Sequence, residues 1–118
     1  MVRSLHTIVI EVDDMAAATT FYRDVLGLKT QIESPYWTSL DCFGTTLGLH
    51  PPFVPGETPR GGVVLCLAVA DLVAAQAALR AVGAWCADAF HGTPSGAVLD
   101  IKDPSGNPLQ LIQLGLSV

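Results

Sequence analysis

The stretch Val12-Asp13-Asp14-Met15-Ala16-Ala17-Ala18-Thr19-Thr20-Phe21-Tyr22-Arg23-Asp24-Val25-Leu26-Gly27-Leu28 decides the fold. Either opening aspartate, Asp13 or Asp14, can accept hydrogen bonds from the free amides at a helix start. Met15, Ala18, Tyr22 and Val25 follow at helical steps and form one apolar stripe. Gly27 closes the segment, since glycine takes the left-handed conformation of a helix end without strain. Upstream, Thr7 to Val12 is rich in β-branched residues and reads as a strand. Downstream, Lys29–Glu33, Trp37–Cys42 and Thr46–His50 read as short strands, with Phe43-Gly44 as a hairpin turn between the last two.

Working outward, the same plan is written again. His50 to Gly62 carries Pro51, Pro52, Pro55 and Pro59 with Gly56, Gly61 and Gly62, and reads as a linker. Val63–Val69 is then a strand, Asp71 a cap and Gly83 a helix end. Each stripe residue lies 57 positions after its counterpart: Met15 to Leu72, Ala18 to Ala75, Tyr22 to Leu79, Val25 to Val82. Trp85–Ala89, Ala97–Lys102 and Pro108–Gln113 complete the second set of strands, with a turn at Asp103-Pro104-Ser105-Gly106-Asn107. Two alanine-rich helices could match by chance. The repeated order of strand, capped helix, glycine and three strands favours duplication. One such unit alone would leave a sheet face bare, so the second is its natural partner. The expected fold is α+β, two βαβββ modules forming a cupped mixed sheet with helices outside. It makes one domain over residues 1–118, with module one about 1–55 and module two about 60–118.

At 118 residues, half of them apolar and 14% charged, the chain has the make-up of a globular domain and not of a disordered one. Its longest apolar run, Val63 to Ala70, is far shorter than the roughly 20 residues needed to span a bilayer. No leader-like stretch opens the chain, so the expectation is a cytoplasmic protein without a membrane. Six basic side chains against eleven acidic ones, with no basic cluster, argue against nucleic acid. Cys42, Cys66 and Cys86 have no paired spacing and are expected to be small buried apolar residues.

Residues 12–28 resemble the "V-x-D-[ML]-x-x-A-x-x-F-Y-x-x-x-L-G-L" opening of the vicinal oxygen chelate superfamily. That superfamily includes glyoxalase I, bleomycin resistance proteins, fosfomycin resistance proteins and extradiol dioxygenases. Asp103-Pro104-Ser105-Gly106-Asn107-Pro108-Leu109-Gln110-Leu111 resembles its "D-P-x-G-N-x-[LI]-E-L" close. The resemblance implies a cup between the modules and, in metal-dependent members, four ligands from the first and last strands of each module. The family spacing maps those ligands onto Thr7, Gly48, Val64 and Gln110, of which only Gln110 is a plausible donor. A metal site needs at least three good donors. A displaced site of His6, His50 and Gln110 would need a β-bulge between Glu11 and Asp14 to turn His6 onto the right face. The resemblance also implies a homodimer.

Counting alternate residues puts Thr7, Val9 and Glu11 on the cup face of the first strand. The same parity gives Trp37, Ser39 and Asp41; Thr46, Gly48 and His50; Val98, Asp100 and Lys102; and Pro108, Gln110 and Ile112. The expected ligand-binding residues are Thr7, Glu11, Trp37, Ser39, His50, Asp100 and Gln110. Apolar walls with a few convergent polar groups describe a small-molecule pocket. Each residue also has a plainer role: Trp37 as core, Glu11 in a wet groove, His50 at the surface, Gln110 satisfying backbone. His91 reads as a loop residue at the rim, and Asp103 with Asn107 as turn chemistry. The function expected is metal-independent sequestration of an amphipathic or aromatic compound, with no cofactor. The alternative is an enzyme: a metal-dependent lyase, isomerase or dioxygenase using the displaced site, or metal-free acid–base chemistry by Glu11 and His50.

Overall fold

A computed structural model describes residues 1, 3–52 and 63–118. Most of the expected linker, residues 53–62, lies outside the described residues. The chain divides into two compact units, Met1–Arg60 and Gly61–Val118. In the first, β1 (Thr7–Glu11) leads to α1 (Met15–Thr20), a π-helical turn (Phe21–Val25), β2 (Lys29–Glu33), β3 (Thr38–Cys42) and β4 (Thr45–His50). In the second, β5 (Leu65–Ala68) leads to α2 (Leu72–Ala81), β6 (His91–Gly92), β7 (Gly96–Lys102) and β8 (Pro108–Leu114). Each unit forms a four-stranded mixed sheet, ordered β1-β4-β3-β2 and β5-β8-β7-β6. The outer pair β1–β4, like β5–β8, is parallel and the remaining pairs are antiparallel. Among the described residues no helix is long and apolar enough to cross a membrane.

Local chemistry accounts for the repeated start. Asp14 and Asp71 are both extended N-caps, and each side chain accepts a hydrogen bond from the amide three residues on, Ala17 and Ala74, at 3.0 Å. Gly27 and Gly83 end the helical segments at φ of 79° and 72°. Each helix covers one face of its own sheet. In the first unit Val12, Ala18, Leu40, Leu47 and Leu49 are fully or almost fully buried. Thr38, on the same face, shares a 3.0 Å hydroxyl hydrogen bond with Thr19 of α1. In the second unit Leu72, Leu79, Leu99, Ile101, Leu109 and Leu111 form the corresponding layer. Each such leucine contributes roughly 1.5–3 kcal/mol relative to an exposed one. The Leu72 amide also donates to Gln113 Oε1 at 2.8 Å, tying the start of α2 to the end of β8.

Several expectations are corrected. The first helical segment does not run on as an α-helix: Leu26 N–H bonds to Phe21 O, a step of five residues. The wider turn buries Phe21 as well as Tyr22, their rings edge to face at 5.4 Å, so Phe21 joins the apolar stripe. Val82 leaves the second stripe, 60% exposed, because it is the cap whose backbone has turned out of the helix before Gly83. Trp85–Ala89 is not a strand and contributes only the bridge Cys86 to Ile101. Gln76 of α2 holds the segment by donating to the carbonyls of Ala87 and Asp88. The edge strand is instead His91–Gly92, so His91 lies in β6 and not in a loop. Cys66 is exposed, while Cys42 and Cys86 are half-buried, so none is a core residue.

Two predictions follow from local geometry. Phe43 holds a left-handed φ of 53° in the turn with Gly44 while its side chain is 93% exposed. Asn tolerates that conformation and suits a two-residue hairpin turn, so Phe43→Asn is expected to raise stability by about 0.5–1 kcal/mol in urea unfolding. Burial and neighbouring Asp41 push the Cys42 thiol above its ordinary pKa. Because the thiolate is the reactive form, iodoacetamide at pH 8 should modify Cys66 well before Cys42, as read by peptide mass spectrometry.

Candidate functional site

Strand parity divides the first sheet cleanly. Leu47 and Leu49 turn to α1, leaving Thr46, Gly48 and His50 on the helix-distal face. Register then sets their neighbours. Thr7, Val9 and Glu11 of β1 lie opposite Thr46, Gly48 and His50, while Ser39 and Asp41 of β3 flank Gly48 and Thr46 from the other side. Glu11 and Ser39 are buried, at 6% and 4% exposure. The structure therefore brings Glu11, Ser39, His50 and Trp37 onto one face.

Trp37 is set by a tight turn before β3. Ser34 Oγ accepts from the amides of Tyr36 and Trp37 and donates to Trp37 O, and Ser34 N–H bonds to the same carbonyl at 3.0 Å. So held, the six-membered ring of the indole lies directly across Gly48. A Cβ built at Gly48 would stand 2.0 Å from Trp37 Cη2, an impossible approach. Only glycine permits this contact. The His50 ring meets the indole at 61° with centroids 6.4 Å apart, and its Nδ1–H donates to Pro51 O at 2.5 Å. Thr7 shares the helix-distal face at the start of β1, and its hydroxyl is hydrogen-bonded to His6 Nδ1 at 2.7 Å.

In the second sheet the helix-distal face carries Cys66, Gln110 and Asp100 in one row across β5, β8 and β7. Gln110 Nε2 donates to Asp100 Oδ1 at 3.1 Å, so the amide partners a carboxylate. The second carboxylate oxygen faces His91 Nδ1 at 3.7 Å, an ion pair when the imidazole is protonated. His91, expected in a loop at the rim, joins this face from β6. Its register with Val98 of β7 brings it there, and no sequence signal marks that pairing. Lys102 of the same strand stands over the exposed Trp85 ring at 4.7 Å, a cation–π contact. Asp103 is turn chemistry as expected, accepting from the amides of Ser105 and Asn107 and from Asn107 Nδ2 at 2.8–2.9 Å.

The donor set implied by the family resemblance does not fit a metal. At Gly48 the space of a ligand side chain is filled by the indole of Trp37. Thr7 offers a hydroxyl already bonded to His6, Val64 is a half-exposed hydrocarbon, and Gln110 supplies one amide. The displaced set fares no better within the first unit. Pairing runs unbroken from Thr7 with Thr46 to Glu11 with His50, so His6, one residue before Thr7, is out of phase with the face of Thr7, Val9 and Glu11. His6 precedes Thr7, which places it roughly 13 Å or more along the strand from His50, whereas metal–nitrogen bonds are about 2 Å. Among the described residues no three His, Cys, Asp or Glu side chains are grouped to hold a metal ion.

A family model described as Glyoxalase/Bleomycin resistance protein/Dioxygenase superfamily matches residues 4–111. No curated protein matches the sequence. Among solved structures the chain is similar to TnmS3, an antibiotic binding protein from Streptomyces sp. CB03234. The two are 26% identical with a TM-score of 0.78, over 97% of this chain and 98% of that one. A glyoxalase/bleomycin resistance protein from the same organism is 28% identical with a TM-score of 0.71, over 93% and 100%. Lactoylglutathione lyase from Agrobacterium tumefaciens shares the fold at 22% identity and a TM-score of 0.71, over 95% and 94%. With a match over nearly its whole length and two four-stranded mixed sheets of that fold, this chain belongs to the Glyoxalase/Bleomycin resistance protein/Dioxygenase superfamily.

Proposed function

We propose that the protein binds and sequesters a small amphipathic or aromatic compound without a metal and without changing it chemically. The observation that carries this is the Trp37 indole seated over Gly48: the outer atoms of its six-membered ring fill the space of a side chain there, and the half-buried ring is left as a stacking platform. Aromatic stacking contributes about 0.5–1.5 kcal/mol beyond area burial, and a cation over an indole about 0.5–2 kcal/mol. Around the platform, Ser39 and His50 offer hydrogen-bonding groups and Glu11 a carboxyl group. The similarity to TnmS3, an antibiotic binding protein, supports a binding role. We infer on the family resemblance alone that it acts as a homodimer, and we propose that it does so in the cytoplasm.

The pairing of Glu11 with His50 favours a second reading, metal-free acid–base catalysis, since a carboxylate and an imidazole in register can divide proton transfer between them. Recovery of a bound compound after prolonged incubation separates the two. Sequestration returns it unchanged; catalysis returns a product.

Trp37→Ala should weaken the best binder from a panel of aromatic antibiotics about tenfold, a loss of roughly 1.4 kcal/mol by calorimetry. Gly48→Val should reproduce that loss while leaving the far-ultraviolet circular dichroism unchanged, because its side chain claims the place of the indole. Treatment with EDTA should leave affinity unaltered. A tenfold loss on chelation, restored by a divalent ion, would overturn the metal-free reading.

A further inference from the structure

The helix side of the first sheet holds a groove of about 440 Å³ between α1 and the β2–β3 hairpin, within the usual range of roughly 300–1,000 Å³ for small-molecule sites. It is on the opposite face from the Trp37 platform. Met15 and Pro35 form apolar walls, and the hydrogen-bonded Thr19 and Thr38 contribute methyl groups and a closed pair of hydroxyls. At one end Arg23 and Glu33 form an ion pair.

Two local irregularities lie at that ion pair. Arg23 sits within the π-helical turn. Glu33 reaches the groove because β2 carries a bulge: register shifts between Thr30 and Ile32, pairing Ile32 with Ser39 and Glu33 with Thr38. Without the extra residue, simple alternation would place Glu33 with Lys29 on the helix-distal face. Bulges that re-aim a side chain and single π-turns are both over-represented at functional sites.

Charge then selects the ligand. Arg23 is bonded through Nε and Nη2 to Asp24 and through Nη1 to Glu33, so one cation faces two carboxylates. Arg23 holds the Asp24 carboxyl below its ordinary pKa, and it stays ionised. The cluster keeps one net negative charge in a chain whose formal charge is −5. Glu33 is 42% exposed, and its second oxygen makes no hydrogen bond among the described residues. We propose that this groove is a separate binding site for a small amphipathic primary amine, the ammonium against Glu33 and the apolar body between Met15 and Pro35.

Titrating the ¹⁵N-labelled full chain with cyclohexanemethylamine, and in parallel with cyclohexanecarboxylate, tests this by amide shifts. The amine should give saturable shifts at Thr19, Thr20 and Ser34, with the carboxylate at least tenfold weaker. Glu33→Gln, an exposed and nearly isosteric change, should weaken the amine at least fivefold. The Trp37 indole N–H signal should stay still, so this site stands or falls apart from the proposed platform. Equal binding of amine and carboxylate, indifference to Glu33→Gln, or an indole signal that moves together with the groove amides would each overturn the proposal.

Discussion

A four-stranded sheet that carries one short helix can bury only one of its faces against that helix. Everything else in either unit follows from this constraint. Leu40, Leu47 and Leu49 go to the helix side of the first sheet, as Leu99, Ile101, Leu109 and Leu111 do in the second. Alternation then sends Ser39, Gly48 and His50, and likewise Asp100 and Gln110, to the opposite face. Glu11 shows what the distribution demands. A nearly buried carboxylate on a strand is expensive unless its surroundings are polar, and here it stands beside His50.

The distal face of the first sheet is shaped by one substitution of space. Where a side chain on β4 would project at position 48, there is none, and the indole of Trp37 takes its place. A side chain there could have carried a donor atom toward a cation. An indole in that space offers a π system instead, which attracts planar and cationic groups but supplies no coordinating lone pair. The Ser34 turn makes this geometry durable, because three hydrogen bonds to one hydroxyl fix the backbone from which the indole projects.

The elements legible in the sequence were those governed by local chemistry. Asp14 and Asp71 cap because their oxygens reach amides three residues away, and β2 is found at Lys29–Glu33, the bounds its sequence suggests. The faces of β1, β3 and β4 could be counted for the same reason. Features that depend on a break in the helical period or on a partner in another element could not be read. Phe21 becomes core only because the helix widens by one residue, and a period of 3.6 cannot register that insertion. The segment at Trp85–Ala89 has a strand's composition, yet Gln76 binds its carbonyls from the neighbouring helix. For His91, and for the bond from Gln110 to Asp100, the deciding fact is cross-strand register within the consecutive β6–β7 and β7–β8 pairs, which the composition of either strand alone does not fix. His6 and His50 failed as a pair on the same ground, since parallel pairing sets them toward opposite ends of β1 and β4.

One short stretch of chain serves both faces of the first sheet. Glu33 and Thr38 turn to the helix side, Trp37 turns to the distal side, and Ser34 and Pro35 connect them. The bulge in β2 makes this division possible: it reverses parity ahead of the hairpin, so that Glu33 and Thr38 share a face while Ile32 moves to the side of Ser39. The exposed ion pair of Arg23 with Glu33 contributes little to stability, as surface pairs generally do. Its effect is positional. It ties the end of β2 to the π-helical turn and leaves the groove, and the turn that aims the indole, anchored to the same helix.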